Sequence, residues 1–440
     1  MNLKIEKVIY GGQGLARIPA ESEGRGGMSV FVPFTLPGET VAAEITQQHR
    51  GYCVAEAREV VEASEFRSVP PCPWFANCGG CHLQHSVYPY QLELKRQMLV
   101  ESLTRAGIQD LPIVSLLHGD PLGYRNRIRL QAQMQPEFDV GYRQAKSHRM
   151  TAIDGCPIAA PLLEKCIQVL RLMGAQGLVP AETHELEMFT NHDQSELLLT
   201  LWARPRGNLW GDGCADFFAR MQKEIPQLSG AQVFTAKPGK AHTSRPQFEW
   251  GQQALHYRVA GREYTVHAAS FFQVNRTLLE EFVSAVAGAE SGRCAWDLYA
   301  GVGLFSMALM ERFQRVFAVE SNPSAVHDLR QNLSGRPGEG GNAEVIQSTT
   351  LDFLKRVLQR REATPDLVLL DPPRAGAGAE ACQLLVRCEP QTILYVSCDP
   401  ATLGRDLGTL MQSGYSLHGL QLVDMFPQTY HMEIIATLQR

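Results

Sequence analysis

A cysteine near the C-terminus has the local sequence of a nucleophile. Residues 393–396 (Ile-Leu-Tyr-Val) predict a buried strand of a parallel sheet, and Ser397-Cys398-Asp399-Pro400 follows directly. Asp399 and Pro400 are typical of the N-cap and first residue of a helix. Because a helix N-terminus favours negative charge, we expect Cys398 to lose its proton readily and act as a thiolate. The alternative is a core cysteine, since free cysteine is among the most buried residue types.

A Gly-Val-Gly turn predicts a cofactor pocket. It follows a predicted strand ending near Asp297, and Gly301 and Gly303 allow a ligand to approach the backbone where the next helix begins. The following predicted strand ends in Glu320, whose carboxylate is suited to ribose hydroxyls. A dinucleotide fingerprint needs a third glycine where this chain has Ser306. The turn therefore favours S-adenosylmethionine over a nicotinamide cofactor.

A third predicted strand, residues 367–370, ends in Asp371-Pro372-Pro373-Arg374. The two prolines stiffen the loop and remove two backbone donors, so we expect the Asp371 side chain to project into the crevice. Enzymes that methylate exocyclic amines have an aromatic residue after the two prolines, which stacks on the target base. Arg374 occupies that position here, which disfavours an amine target and favours methylation of carbon by a cysteine route.

Five motifs in the last 170 residues resemble, in order, those of the RNA uracil-5-methyltransferase family. They are Phe271-Phe272-Gln273-Val274-Asn275, Asp297-Leu298-Tyr299-Ala300-Gly301-Val302-Gly303, Asp371-Pro372-Pro373-Arg374, Ser397-Cys398-Asp399-Pro400-Ala401-Thr402 and Met425-Phe426-Pro427-Gln428-Thr429-Tyr430-His431-Met432-Glu433. The chain departs from the family at Leu304, where many relatives have Asn, and at Ser348-Thr349, near the expected adenine contact.

The resemblance implies an S-adenosylmethionine-dependent enzyme that makes 5-methyluridine in RNA, most similar to the 23S rRNA branch. It implies Cys398 as nucleophile and Glu433 as base. The residues expected to bind the cofactor or the target base are Gln273, Tyr299, Gly301, Glu320 and Asp371. A tRNA uridine methyltransferase is the alternative enzyme. The alternative from another class is a non-catalytic RNA-binding or redox-sensing protein.

The chemistry itself requires both a thiolate and a base. Carbon 5 of uracil becomes nucleophilic only after a thiolate adds to carbon 6, and Cys398 supplies that thiolate. After methyl transfer a base must remove the proton from carbon 5 before the cysteine leaves. Glu433 opens the last apolar run, residues 434–436, so we expect its carboxylate to face the crevice. His431 is an alternative base, and a solvated edge-strand charge is the alternative for Glu433.

A group of upstream cysteines predicts a metal site. The spacing is C-x5-C-x2-C, with a fourth cysteine before a proline further along the chain. The expected ligands are Cys72, Cys78, Cys81 and Cys156. An odd total of 11 Cys without a secretory signal argues against disulfides. Spacing alone leaves zinc, with His82 or His85 as a possible ligand, level with iron–sulfur. The family resemblance implies a 4Fe-4S cluster, which we expect to lie far from Cys398.

Overall charge requires that RNA contacts be local. The net charge is −5 and the pI is about 6.2, which argues against bulk electrostatic capture of nucleic acid. Arg125, Arg127 and Arg129 alternate and so share one strand face, and further basic residues follow. These are Arg143, Lys146 and Arg149. We expect this face to bind phosphate; the alternative is protection of a strand edge.

The chain is expected to be a multidomain α/β protein with three parts. Residues 1–62 have short strands and turns typical of a small barrel, with a turn at 24–27, and resemble an OB-like TRAM domain. Residues 63–262 are expected to form a mixed α+β central domain with the cysteines, the basic strands and helices over 88–106 and 160–173. Residues 263–440 are expected to form a Rossmann-like methyltransferase sheet with a flexible loop at 335–341. With no apolar span or leader, we expect a cytoplasmic monomer without membrane contact.

Overall fold

The N-terminal strands close into a barrel. A computed structural model describes residues 1–18, 27–145, 147, 149–204, 211–235, 245–334, 342–360 and 364–440. Most of the expected turn at 24–27, Lys146 and the expected loop at 335–341 lie outside these residues. The barrel strands are β1 (Asn2–Val8), β2 (Gln13–Arg17), β3 (Ser29–Pro33), β4 (Thr40–His49) and β5 (Tyr52–Glu62). Buried and exposed residues alternate along β1 and β3, so each strand turns one face into the barrel core. The order β1-β2-β3-β5-β4 leaves no open edge.

A seven-stranded sheet covered by two helices forms most of the middle of the chain. The elements in chain order are α1 (Tyr88–Arg105), β6 (Val114–Leu117), β7 (Arg127–Gln133), β8 (Asp139–Arg143), β9 (Met150–Ala152), α2 (Pro161–Ala175), β10 (Thr183–Thr190), β11 (Leu197–Ala203), α3 (Gly211–Glu224), β12 (Leu228–Thr235) and β13 (Phe248–Gly251). The sheet order is β13-β12-β11-β10-β7-β8-β9. Apolar residues of α2 and α3 pack on it in one core. The helices expected at 88–106 and 160–173 are thus found to within two residues.

The C-terminal part begins with a hairpin and continues as an open α/β sheet. The elements are β14 (Ala254–Val259), β15 (Arg262–His267), α4 (Leu279–Ala287), β16 (Gly292–Leu298), α5 (Leu304–Met310), β17 (Phe313–Glu320), α6 (Pro323–Ser334), β18 (Ala343–Gln347), α7 (Thr350–Arg360), β19 (Leu367–Leu370), α8 (Ala379–Cys388), β20 (Thr392–Ser397), α9 (Pro400–Gln412), β21 (Ser416–Val423) and β22 (Glu433–Gln439). The order is β18-β17-β16-β19-β20-β22-β21-β6. Strands β16 to β20 are parallel, and β22 is antiparallel to both of its neighbours.

The boundaries of the central segment differ from the expected 63–262. The expected boundary at 262 falls inside the β14–β15 hairpin, whose side chains belong to the core of the methyltransferase sheet. Strand β6 pairs with β21 as the last strand of that sheet, and α1 packs on α9. Such long-range pairings cannot be read from local periodicity, because a strand looks the same whichever sheet it joins. Among the described residues, no helix is both long and apolar enough to cross a membrane.

Candidate active site

Strand register places Cys398 beside Glu433. Strand β20 is buried along its whole length, as the apolar run predicted. Ser397 at its carboxyl end pairs with Ile434 of the antiparallel β22. The next residues outward, Cys398 and Glu433, are therefore neighbours at the same edge of the sheet. Asp399 is the predicted N-cap of α9, and its Oδ1 accepts from the first free backbone amides of that helix.

The Cys398 thiol is not acidified as the sequence suggested. Burial raises the pKa of Cys398 to about 11, and the negative charge of Glu433 adds to this, while Arg374 opposes it. The expectation of a low pKa is therefore wrong for this substrate-free site. The physical reason is that the thiol is half-buried near carboxylates, and Asp399 already occupies the helix N-terminus.

The carboxyl groups of Asp371 and Glu433 lie close enough to the thiol to influence it electrostatically. Burial raises the pKa of both; the charge of Asp297 adds to this for Asp371, and the charge of Asp371 adds to it for Glu433. Burial and the charge of Arg374 lower the pKa of His431 to about 3, so its imidazole is neutral. Arg374 Nη2 lies 3.3 Å from His431 Nδ1, and the Arg374 charge also acts on the Cys398 thiol. A thiol, two carboxyls and a cation thus converge at one strand edge.

The glycine turn forms an open pocket bounded by Glu320. The backbone amide of Gly301 donates to Glu320 Oε2 (3.0 Å), and Tyr299 and Gly301 have φ values of +69° and +56°. A Cβ added to Gly301 would meet no atom within 4 Å, so the space above this residue is open. The open space leaves room for a ligand to approach the backbone here, and the cofactor site expected from the sequence stays a prediction.

Ser306 and Asp297 form a buried pair at the base of this turn. Ser306 Oγ donates to Asp297 Oδ2, whereas Asp297 Oδ1 is buried without a hydrogen-bond partner in the described structure. Burial raises the pKa of Asp297 to about 7, and the charge of Glu320 adds to this. Ser306, read in the sequence as a missing glycine, thus has a structural role of its own. Gln273, also expected at the cofactor site, is buried, and its backbone carbonyl accepts from Asn126 Nδ2 (3.0 Å).

The structure brings the four predicted ligand cysteines to one cavity of about 400 Å³. The thiols influence one another electrostatically, and burial raises the pKa of Cys78 to about 11 and that of Cys81 to about 12. Tyr142 Oη lies 3.8 Å from Cys156 Sγ. No three of the four sulfurs lie within 4.8 Å of one another. Among the described residues, one set of three potential metal ligands does lie within that distance, namely His267, His327 and Asp328.

The cysteine cavity adjoins the catalytic loop, contrary to the expected separation. The backbone amides of His82 and Leu83 donate to the carbonyl of Gln428 (2.8 and 3.0 Å). Arg374 and His431 line the same cavity as the cysteines. The segment after Cys81 therefore packs directly on the loop that leads to Glu433, which sequence distance could not reveal.

A buried ion pair that the sequence did not predict holds this loop from the other side. Lys95 on α1 is fully buried, and its Nζ donates to Asp424 Oδ1 (2.6 Å). The same Nζ donates to the carbonyls of Phe426 (3.0 Å) and His431 (2.7 Å). Tyr88 Oη donates to the other oxygen of Asp424 (3.0 Å). A buried lysine had no signal in the sequence, because lysines on amphipathic helices are usually solvated.

The barrel also reaches the active site. Tyr10, in the loop after β1, has its hydroxyl 3.3 Å from Asp399 Oδ2 and 3.4 Å from the carbonyl of Cys398. Its ring packs edge-on against Tyr430 at 5.4 Å between centroids. The N-terminal barrel thus contributes a side chain to the wall around the thiol.

The basic strand is less available for phosphate than its sequence suggested. Arg127 is largely buried, 3.8 Å from Glu187 and stacked on Phe189. Arg129 forms an ion pair with Glu185 (2.7 Å). Both acids lie on β10, which pairs with β7. The expectation from sequence considered only the charges on the basic strand and so missed the acids on its neighbour. Arg125 lines the cysteine cavity beside Arg129.

The fold and site define an S-adenosylmethionine-dependent α/β methyltransferase with an added TRAM barrel. The profile of the family described as tRNA (uracil-5-)-methyltransferase matches residues 88–440, and that of the TRAM domain matches residues 1–57. The chain therefore belongs to this family of RNA uracil-5-methyltransferases. Its membership confirms the expected enzyme class, the methyl donor and RNA as substrate.

Relatives that match over nearly their whole length have the names of RNA methyltransferases. An uncharacterized RNA methyltransferase of Aquifex aeolicus is 31% identical over 100% of this chain and 98% of its own length. The 23S rRNA (uracil(1939)-C(5))-methyltransferases RlmD of Shewanella amazonensis and Halomonas elongata are each 32% identical over 99% of this chain, covering 95% and 89% of their own lengths.

A solved structure confirms the fold. The tRNA (uracil-54, C5)-methyltransferase of Pyrococcus abyssi, in complex with S-adenosyl-L-homocysteine, superimposes with a TM-score of 0.77 over 100% of both chains at 24% identity. At this identity the likeness supports the mixed α/β architecture with its N-terminal barrel.

The buried ion pair predicts a large loss of stability when Lys95 is replaced by an uncharged residue. Replacing Lys95 by Met leaves Asp424 charged and unpaired in the interior, so we expect a loss of about 3–5 kcal/mol in the free energy of unfolding. Arg96→Met on the same helix removes an exposed pair with Glu93 and should cost at most about 1 kcal/mol. Denaturant unfolding of both variants measures the difference. Equal stability of the two would show that the pair does not hold the loop.

Proposed function

We propose that this chain transfers the methyl group of S-adenosylmethionine to carbon 5 of a specific uridine in 23S rRNA. The names and near-complete coverage of the Shewanella and Halomonas relatives support the choice of rRNA. An rRNA substrate favours the cytoplasm as its place of action. The observation that carries the chemistry is the adjacency of Cys398 and Glu433 at the ends of antiparallel β20 and β22.

The proposed reaction begins with addition of the Cys398 sulfur to carbon 6 of uracil. The thiol proton must leave first, and the neighbouring Asp371 carboxylate is available to accept it, which leaves the Glu433 carboxylate free to act as the base later. The charge of Arg374 lowers the pKa of Cys398 and so favours the thiolate. The resulting enolate attacks the sulfonium methyl from carbon 5, which releases S-adenosylhomocysteine.

The second half of the reaction restores the aromatic ring. Glu433 removes the proton from carbon 5, the carbon 6–sulfur bond breaks, and Cys398 leaves as a thiolate. Because burial and Asp371 raise the pKa of Glu433, its carboxylate is a stronger base than an exposed one. His431 is neutral and is held by Arg374, so we assign it to orientation of the loop.

The cofactor is proposed to occupy the open pocket above the glycine turn. Its ligands would be Gln273, Tyr299, Gly301, Glu320 and Asp371. The open space above Gly301 and the adjoining Glu320 carboxylate suit a nucleoside, whose ribose hydroxyls a carboxylate binds. The ribose hydroxyls would either replace the Gly301 amide as partner of the Glu320 carboxylate or bind this carboxylate together with the amide.

The cysteine cavity is proposed to hold a 4Fe-4S cluster. Four thiols line one cavity, as a cluster requires, and the family resemblance favours iron over zinc. A bound cluster would keep these four cysteines deprotonated and tie the segment after Cys81 to the chain around Cys156. Zinc is the alternative, and the metal content of the purified protein decides between the two.

RNA is proposed to enter between the barrel and the sheet. The target uridine must leave its stack to reach Cys398, which costs a few kcal/mol that contacts elsewhere must offset. Tyr10 of the barrel already lies beside this residue. Arg125 lines the adjoining cavity, and we expect it to contact the RNA backbone close to the target.

Covalent catalysis predicts a trapped adduct. RNA containing 5-fluorouridine should form a denaturation-resistant complex with the protein and S-adenosylmethionine, because fluorine cannot leave as a proton does. Cys398→Ala should abolish both the complex and turnover, while Cys382→Ala, which removes another buried thiol, should retain them. Adduct formation should accelerate as pH rises toward about 11, the pKa of Cys398, because the thiol is protonated below it. Methylation by Cys398→Ala would refute the assignment.

The base predicts a different intermediate. Glu433→Gln should permit addition and methyl transfer but not proton removal. RNA with ordinary uridine, without fluorine, should therefore accumulate as a covalent complex with the protein in which carbon 5 carries the new methyl group. Gel analysis with a labelled methyl group detects it. Glu380→Gln, at an exposed helical position, should turn over normally. Normal turnover by Glu433→Gln would transfer the base role to His431 or water.

The cluster predicts colour and composition. Protein purified without oxygen should be brown and contain iron and sulfide, and replacing any of the four ligand cysteines by Ser should remove both. Cys166→Ala, a buried thiol on α2, should leave the iron content unchanged. Colourless, active protein with stoichiometric zinc would overturn the iron assignment without affecting the methyltransferase proposal.

A further inference from the structure

An arginine-lined cleft lies beside strand β18, apart from the active site. Its volume is about 890 Å³, and we call it the edge cleft. The arginines in its lining are Arg293, Arg315, Arg330, Arg356 and Arg360. Two carboxylates, Glu344 and Asp366, share the lining. The formal charge of the lining is therefore +3.

This charge is opposite to that of the surrounding domain. Residues 263–440 contain 14 Lys and Arg against 20 Asp and Glu, a formal net charge of −6. Five of those 14 basic residues nevertheless converge on one cleft. A local concentration of cations in an acidic domain indicates an anionic ligand.

Four of the five guanidinium groups, those of Arg293, Arg315, Arg330 and Arg356, are available to such a ligand. Within the described part of the chain, no carboxylate forms an ion pair with Arg293, Arg330 or Arg356. Arg315 pairs with Glu344 at 2.9 Å, but both side chains are more than half exposed, so this pair is weak and exchangeable. One oxygen of Asp366 accepts from two backbone amides and is therefore engaged within the fold.

Aromatic rings orient two of the arginines. The Arg315 guanidinium lies 4.3 Å from the centre of the Phe317 ring, and that of Arg356 lies 5.9 Å from the centre of the Phe353 ring. Both rings are buried, Phe317 on β17 and Phe353 on α7. A guanidinium over a ring face keeps its N–H groups available for bidentate contact with phosphate.

The edge cleft lies at the end of the sheet opposite the reacting residues. Arg293 and Arg315 are near the amino ends of β16 and β17, whereas Glu320 and Cys398 lie at or beyond carboxyl ends. A strand of seven residues spans roughly 20 Å. A ligand in this cleft therefore does not compete with the cofactor or the target base.

We propose that the edge cleft binds the sugar–phosphate backbone of the substrate RNA at a segment remote from the target uridine. This inference rests on the proposed RNA methyltransferase function. A run of phosphates fits better than one small anion because the arginines come from four elements, β16, β17, α6 and α7. The cleft thereby adds affinity for large, folded RNA without touching the chemistry.

The test compares a long 23S rRNA fragment with a short stem-loop that carries the same target uridine. The triple variant Arg293→Gln/Arg330→Gln/Arg356→Gln should bind the long fragment at least about tenfold more weakly at physiological salt, with a salt slope about 2 units shallower. Its Kd and kcat for the stem-loop should be unchanged. The corresponding triple Lys variant retains the charge and should preserve most of the salt slope.

A matched control separates the cleft from general charge. Arg312→Gln/Arg387→Gln/Arg440→Gln removes three exposed arginines of the same domain outside the cleft and should bind both RNAs normally. Equal weakening by this control, an unchanged salt slope of the cleft variant, or equal weakening for both RNAs would overturn the proposal. Failure of the parent protein to methylate either RNA would instead refute the proposed function, because binding is measured independently of turnover.

Discussion

The buried contact between Lys95 and Asp424 is the constraint on which the catalytic edge depends. Charges inside a protein are tolerated only when their geometry and hydrogen bonds are nearly complete. Here the ammonium contacts one carboxylate oxygen and two carbonyls, and Tyr88 binds the remaining oxygen. Few alternative loop conformations could satisfy these groups at once. The loop that ends at Glu433 is thus fixed by a helix from a distant part of the sequence.

The antiparallel direction of β22 is the second feature on which the position of Glu433 beside Cys398 depends. In a wholly parallel sheet, the first residue of a strand would lie at the edge away from the chemistry. Because β22 runs against β20, its first residue, Glu433, meets Cys398 at the carboxyl end of β20. The proposed base and the proposed nucleophile, separated by 35 positions in sequence, are therefore adjacent at one edge of the sheet. The cost is a connecting segment that needs support, which α1 and the residues after Cys81 provide.

The sequence predicted features that depend on local pattern. Strand ends carrying Cys398 and Asp371, the Asp399 cap, the glycine turn and the small barrel all follow from periodicity and turn chemistry. It did not predict pairings across long distances, such as β6 with β21 or Arg127 with Glu187. It also misjudged the acidity of Cys398, since a pKa depends on burial and on neighbouring charges that only the folded chain brings together.

The raised pKa values have a common consequence for the resting enzyme. Burial raises the pKa of the Cys398 thiol and of the neighbouring carboxyl groups of Asp371 and Glu433, so each of these groups resists carrying a negative charge in this confined space. A protonated thiol is also a poor nucleophile toward oxidants and stray electrophiles. In the proposed mechanism, addition to uracil removes the thiolate charge from this confined space and spreads it over the enolate of the base. The proposed covalent step would therefore be favoured where a free thiolate is not, which would restrict reactivity to the moment when a uracil ring is in place.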